Sequence, residues 1–166
     1  MLDILVMAAT MTATGDPTPG DPGVVSTGGF GITAPSPHVA VGAEYGWSAW
    51  ERLVDAGVEG QAFWFPMSES AVGIGLGTYL RVAPIPGEWG RRFYLHGKIN
   101  RTVATGTPTF NAFGLGGGLG YRQPLEATPF GVPGYWYVET GLQRAFLFKY
   151  GEALYFIEAL ETGFTW

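Results

Sequence analysis

The stretch Ala71-Val-Gly-Ile-Gly-Leu-Gly-Thr-Tyr-Leu-Arg-Val82 decides the fold. Val72, Ile74, Leu76, Thr78, Leu80 and Val82 share one face of an extended chain; Ala71, Gly73, Gly75, Gly77, Tyr79 and Arg81 share the other. Alternation with period two marks a strand. The second face is the informative one. A soluble sheet turns that face to water and lines it with charges, which make up roughly 25–35% of a well-behaved surface. Here it is mostly glycine and alanine. Glycine weakens a strand, and a water-facing wall of it gains nothing. Inside a narrow barrel, where about eight strands leave room only for packed side chains, small residues have a use.

The same pattern spreads outward from this segment. Phe93, Leu95, Gly97, Ile99 and Val103 alternate with Arg92, Tyr94, His96, Lys98, Asn100 and Thr102. Ala112, Gly114, Gly116, Gly118 and Gly120 oppose Phe113, Leu115, Leu119 and Tyr121. Val39, Val41, Ala43, Tyr45 and Trp47 stand against Ala40, Gly42, Glu44, Gly46 and Ser48. Pro- and Gly-rich breakers separate such segments at 15–23, 34–37, 84–90, 105–108, 123–134 and 149–151. Eight strands are expected, near 2–13, 24–34, 38–50, 60–82, 91–105, 109–122, 134–147 and 152–166. The segment 60–82, irregular near Pro66, reads as either one strand or two. Glu51–Gly60 alone has helical character. The expected fold is all-β, a single antiparallel up-and-down eight-stranded barrel over 1–166.

Composition narrows the classes. The 166 residues contain no cysteine, which removes disulfide scaffolds, thiolate zinc sites and cysteine nucleophiles. Charged residues make up 14%, below the ~25% of soluble proteins. The net charge of −5 gives no footprint for nucleic acid. No apolar run is long enough for a transmembrane helix. Met1–Ala9 is apolar but lacks a basic flank, so it does not read as a signal peptide.

If the glycine face is the interior, the apolar face meets lipid. Folding the segments on one another sets His96 and Lys98 beside Gly75 or Gly77 on one flank and Gly116 or Gly118 on the other. Gly73, Gly75, Gly77, Gly114, Gly116 and Gly118 then line the lumen under bulkier neighbours. Trp47, Trp50, Phe93, Trp136, Phe164 and Trp166 fall near strand ends, at two levels, as in the aromatic girdles of a membrane barrel. Counting 38–50, 91–105 and 134–147 as the third, fifth and seventh strands makes them run the same way. Lys98 is then expected mid-lumen between Glu44 and Glu139, with His96 and Arg81 nearby and Glu161 a further candidate. A charge withdrawn from water needs a partner.

Three pieces of sequence are similar to the small eight-stranded outer-membrane barrels, the OmpA-, OmpX- and OmpW-like group. They are Phe113-Gly-Leu-Gly-Gly-Gly-Leu-Gly-Tyr121, Tyr135-Trp-Tyr-Val-Glu-Thr-Gly-Leu142 and the closing Gly163-Phe-Thr-Trp166. The last resembles the C-terminal signal read by the barrel assembly machinery, with Trp166 where that signal usually has phenylalanine. The resemblance implies a closed antiparallel barrel in a bacterial outer membrane. It also implies lipid or detergent and the assembly machinery as partners, and a monomeric state. It does not imply an activity, because such barrels include anchors, small pores and enzymes.

The favoured expectation is a barrel without enzymatic activity: an anchor, a surface-interaction protein or a narrow pore with a plugged polar lumen. One alternative is a soluble lipocalin-like barrel binding a small hydrophobic ligand. Another is a membrane-embedded lipid hydrolase or acyltransferase using His96. His38 and His96, 58 positions apart, offer no metal-ligand spacing. No nucleophile elbow is present. No catalytic residue, metal or cofactor is expected.

Overall fold

The computed structural model describes residues 23–34, 39–50, 52–65, 71–105, 109–129, 131, 133–149 and 151–165. Its strands are β1 (Gly23–Ala34), β2 (Val39–Ala49), β3 (Val54–Phe65), β4 (Ala71–Val82), β5 (Phe93–Thr105), β6 (Phe110–Leu125), β7 (Gly134–Leu147) and β8 (Glu152–Thr165). Each pairs antiparallel with the next, and β8 pairs back onto β1. Among the described strands the result is a closed up-and-down barrel with no free edge.

The expected strand list needs two corrections. The segment 60–82 belongs to two strands, β3 and β4. The helical reading of 51–60 is wrong: Trp50 and Arg52 both lie at positive φ (49° and 64°). The Leu53 N–H donates to the Trp50 carbonyl at 3.1 Å, making a tight turn that feeds directly into β3. Two left-handed residues cannot start a right-handed helix. The strand expected at 2–13 lies outside the described residues, and the barrel closes without it.

Register fixes the barrel's dimensions. Following paired residues from Thr27 passes through Glu44, Glu59, Gly77, Asn100, Gly114 and Ala145 to Leu154. Thr27 itself pairs with Thr165 across the seam. The offset along β8 is thus eleven residues, one of which is a bulge, so the stagger is ten. Ten residues at ~3.3 Å, set against eight strands at ~4.8 Å, give a strand tilt of about 41°. Such a barrel is too narrow for an open bore and must be filled by side chains.

Side chains sort by face as the alternation requires. On β4 the odd positions, Ala71 to Arg81, point inward, and Val72, Ile74, Leu76 and Leu80 point outward. The six glycines expected in the lumen all lie on the inward phase. A Cβ on Gly73 would strike the Phe63 ring, and one on Gly114 would strike Asn100 and Gln143. The expected pairing holds on one flank only. His96 and Lys98 pair with Gly118 and Gly116 on β6, but with Arg81 and Tyr79 on β4, not Gly77 or Gly75. The loop 83–92 holds a short 3₁₀ turn at Gly90–Arg92 and shifts the register.

The outer wall is apolar. Val41, Val58, Ile74, Leu76, Ile99, Leu115, Leu119, Leu142 and Ile157 are all exposed on it, Leu76 to 68%. Trp47, Trp50, Phe93, Trp136 and Phe164 lie at the end that carries 50–53, 83–92 and 126–133, here called the terminal end. They therefore form one level, not two; Trp166 lies outside the described residues. The miscount of strands caused this error, because it reversed β2 relative to β5. The second level is Trp64, Phe113, Phe146, Phe148 and Tyr155, toward the opposite, distal end. Trp47 pairs with Ala56, eight residues from Trp64 along β3, about 26 Å along the strand.

Candidate functional site

The lumen holds the chain's concentration of charge. Each contributing residue is placed there by strand alternation. Glu44 stands on β2, Glu59 on β3, Arg81 on β4, His96 and Lys98 on β5, Glu139 on β7 and Glu161 on β8, all buried. Two pairs of glutamates stand directly opposite one another across neighbouring strands, Glu44 with Glu59 and Glu139 with Glu161. Like charges so placed repel, so each pair needs a cation.

Arg81 and Lys98 supply them. Arg81 donates two hydrogen bonds to Glu44, at 2.7 and 2.9 Å, and one from Nε to Glu139 at 2.5 Å. Its guanidinium lies 4.5 Å from the Tyr79 ring centroid and 5.2 Å from that of Tyr137. Lys98 donates to Glu161 at 2.5 Å and sits 3.2 Å from Glu139 and 4.0 Å from Glu59. Glu139, fully buried, is the node: it also accepts the Tyr94 hydroxyl at 2.8 Å. His96 Nδ1 lies 3.8 Å from it, and the Nε2 atom faces the Thr140 carbonyl at 3.2 Å.

The expected cluster is thus brought together, with two changes. Lys98 lies between Glu139 and Glu161, and Glu44 belongs to Arg81. The three strands expected to run the same way do not: β2 runs opposite to β5 and β7. Glu44 still falls at the right depth because it is the sixth residue of an eleven-residue strand, close to the middle from either end.

Glu59 is absent from the expected cluster because 51–60 has helical character in the sequence, whereas it stands buried on β3. Glu161 stayed ambiguous for a different reason. Gly141 pairs with Glu158 and Glu139 with Glu161, so β8 contributes three residues to two steps of β7. The extra residue is a bulge. It reverses the phase of β8, so that Glu158 and Glu161 both pair with inward-facing residues.

Two further layers close the lumen. At the terminal end Arg122 pairs with Asp55 at 2.5 Å and donates to the carbonyls of Arg91 (2.8 Å) and Arg52. Ser48 donates to Asp55 at 2.6 Å. Arg52, in the turn, lies 4.5 Å from the Tyr135 ring centroid. Burial lowers its pKa, and the Asp55 carboxylate opposes that shift. Toward the distal end the lumen is filled by Ala40, Phe63, Ala71, Ala104, Ala112 and Ala145, and by Gln143 donating to Asn100 at 2.9 Å.

Among the described residues no group of three or more His, Cys, Asp or Glu side chains is arranged to hold a metal ion. Compared with known proteins, the chain matches no family model, no curated protein and no solved structure.

Proposed function

We propose that this chain is a membrane-spanning β-barrel of the bacterial outer-membrane kind, an integral anchor or scaffold whose lumen is plugged by ion pairs. One observation carries the reading: the barrel is inside out relative to a soluble protein. Its interior holds Glu44, Asp55, Glu59, Arg81, Lys98, Arg122, Glu139 and Glu161, while its wall is Val, Ile, Leu and aromatic. A wall of this kind placed in water would be a continuous apolar patch far larger than monomeric soluble proteins carry. In a bilayer it is the required surface, and a closed barrel leaves no strand edge unpaired there.

Dimensions support the same reading. An eleven-residue strand tilted by about 41° rises roughly 27 Å, matching the ~25 Å apolar band of such barrels. Aromatic residues stand at both margins of the wall. A ligand barrel of the lipocalin kind needs an apolar cavity, and charged side chains occupy that space. A His96-based hydrolase needs the ring near lipid, and His96 is buried against Glu139.

The test is detergent dependence and heat modifiability. The expected result is a protein that precipitates on detergent removal and shifts gel mobility on boiling. A clear, monodisperse solution without detergent overturns the proposal. In planar bilayers the intact protein is expected to show no steady conductance, because Arg81 and Lys98 bridge the lumen.

A further inference from the structure

Among the described residues the outer wall carries two charged side chains, Arg101 on β5 and Arg144 on β7. Both are exposed, and both lie on the distal half of the barrel. An arginine at the lipid midplane costs about 2–4 kcal/mol and falls toward zero near the interface. Four and three residues from their strand ends, both sit in the interfacial range.

The surroundings form a continuous sector across β5 to β8. Arg101 pairs with Phe113, Phe113 with Phe146, and Arg144 with Tyr155. The Phe113 and Phe146 rings, 6.5 Å apart, lie between the two arginines. The Arg144 guanidinium is 4.6 Å from the Phe146 centroid and 5.4 Å from that of Tyr155. The Arg101 guanidinium is 5.9 Å from the Phe148 centroid and bonds to Asn111 at 3.3 Å. Two strands apart and two residues offset, their Cα atoms stand roughly 12 Å apart. Exposed Lys149 lies in the adjoining turn. Among the described side chains no carboxylate shares this sector of the wall, and the contacts of Arg144 there are the two rings.

We propose that this sector is a binding site for an anionic phosphate-bearing lipid. The two guanidinia take the headgroup oxygens, and the aromatic floor of Phe113, Phe146 and Tyr155 takes the glycerol and upper acyl region. Arginine's planar fork suits phosphate, and its place on ring faces holds that fork at the wall. The proposal rests on the membrane reading above and adds the chemistry of the lipid.

The experiment uses the full chain in bilayer nanodiscs of phosphatidylcholine containing one-tenth phosphatidylglycerol. Lipids that stay bound on release from the disc are counted by native mass spectrometry. Near an anionic surface each cation is worth about a five-fold preference. Phosphatidylglycerol is therefore expected among retained lipids at roughly twenty-five-fold over its bulk ratio. The double variant Arg101→Gln/Arg144→Gln is expected to lose that enrichment while keeping heat modifiability, and Arg101→Lys/Arg144→Lys to keep part of it. Retention at the bulk ratio by the parent protein overturns the lipid site, and so does equal enrichment in the Gln variant. Neither result touches the membrane reading; only a chain that will not enter the disc does that.

Discussion

At the residue scale the lumen separates carboxylates that are held from one that is not. Glu139 touches Arg81, Lys98 and Tyr94 and has no exposure. Removing it leaves two buried cations short of a partner, and breaking a buried pair in this way costs about 3–5 kcal/mol. Glu139→Ala is accordingly expected to lower the urea midpoint of the detergent-folded barrel sharply. Glu59 is the opposite case. Both of its oxygens are buried and accept no hydrogen bond, Lys98 is 4.0 Å away, and Glu44 stands directly opposite. Glu59→Gln removes that repulsion and is expected to be neutral or stabilising in the same titration. A loss comparable to that of Glu139→Ala would show that Glu59 carries the network.

At the element scale, glycines on the same barrel have different reasons. A Cβ on Gly118 would collide with the Thr140 carbonyl and the Gly141 backbone, which cannot move aside cheaply. The nearest atom to a Cβ on Gly97, on the outer wall, is 3.9 Å away. Gly118→Ala is expected to destabilise, and Gly97→Ala to stabilise by about 0.5–1 kcal/mol through the lost freedom of the unfolded chain. The bulge in β8 gives a sharper expectation. Deleting Ala159 removes the extra residue and leaves Glu158 and Glu161 two apart, so that strict alternation keeps both on the inward face. That variant is expected to keep heat modifiability, and a lost gel shift would refute the phase reversal.

At the scale of the whole molecule, closure and the lumen plug act together. Eight strands with a stagger of ten leave a bore that Arg81, Lys98 and their carboxylates bridge from wall to wall. The double variant Arg81→Ala/Lys98→Ala removes both bridges. It is expected either to conduct small ions in planar bilayers or to refold poorly; silent channels from fully folded protein would place the barrier in the Phe63–alanine layer.

Alternation over 71–82, 93–105 and 112–121 was legible without coordinates, because a period of two depends on nothing beyond neighbouring residues. It yields the all-β barrel, the inward glycines and the depth of Glu44, Lys98 and Glu139. Three features were not legible. The 54–60 half of β3, Val-Asp-Ala-Gly-Val-Glu-Gly, has small residues on both faces, so its alternation is faint until β2 and β4 flank it. The grouping of Trp47 with Phe93 at one end depends on that strand being counted. The partners of Lys98 depend on cross-strand register, which the length of loop 83–92 and the bulge in β8 set. Face is local, and the residues determine it alone; register and level are sums around the closed ring, which only the tertiary structure decides.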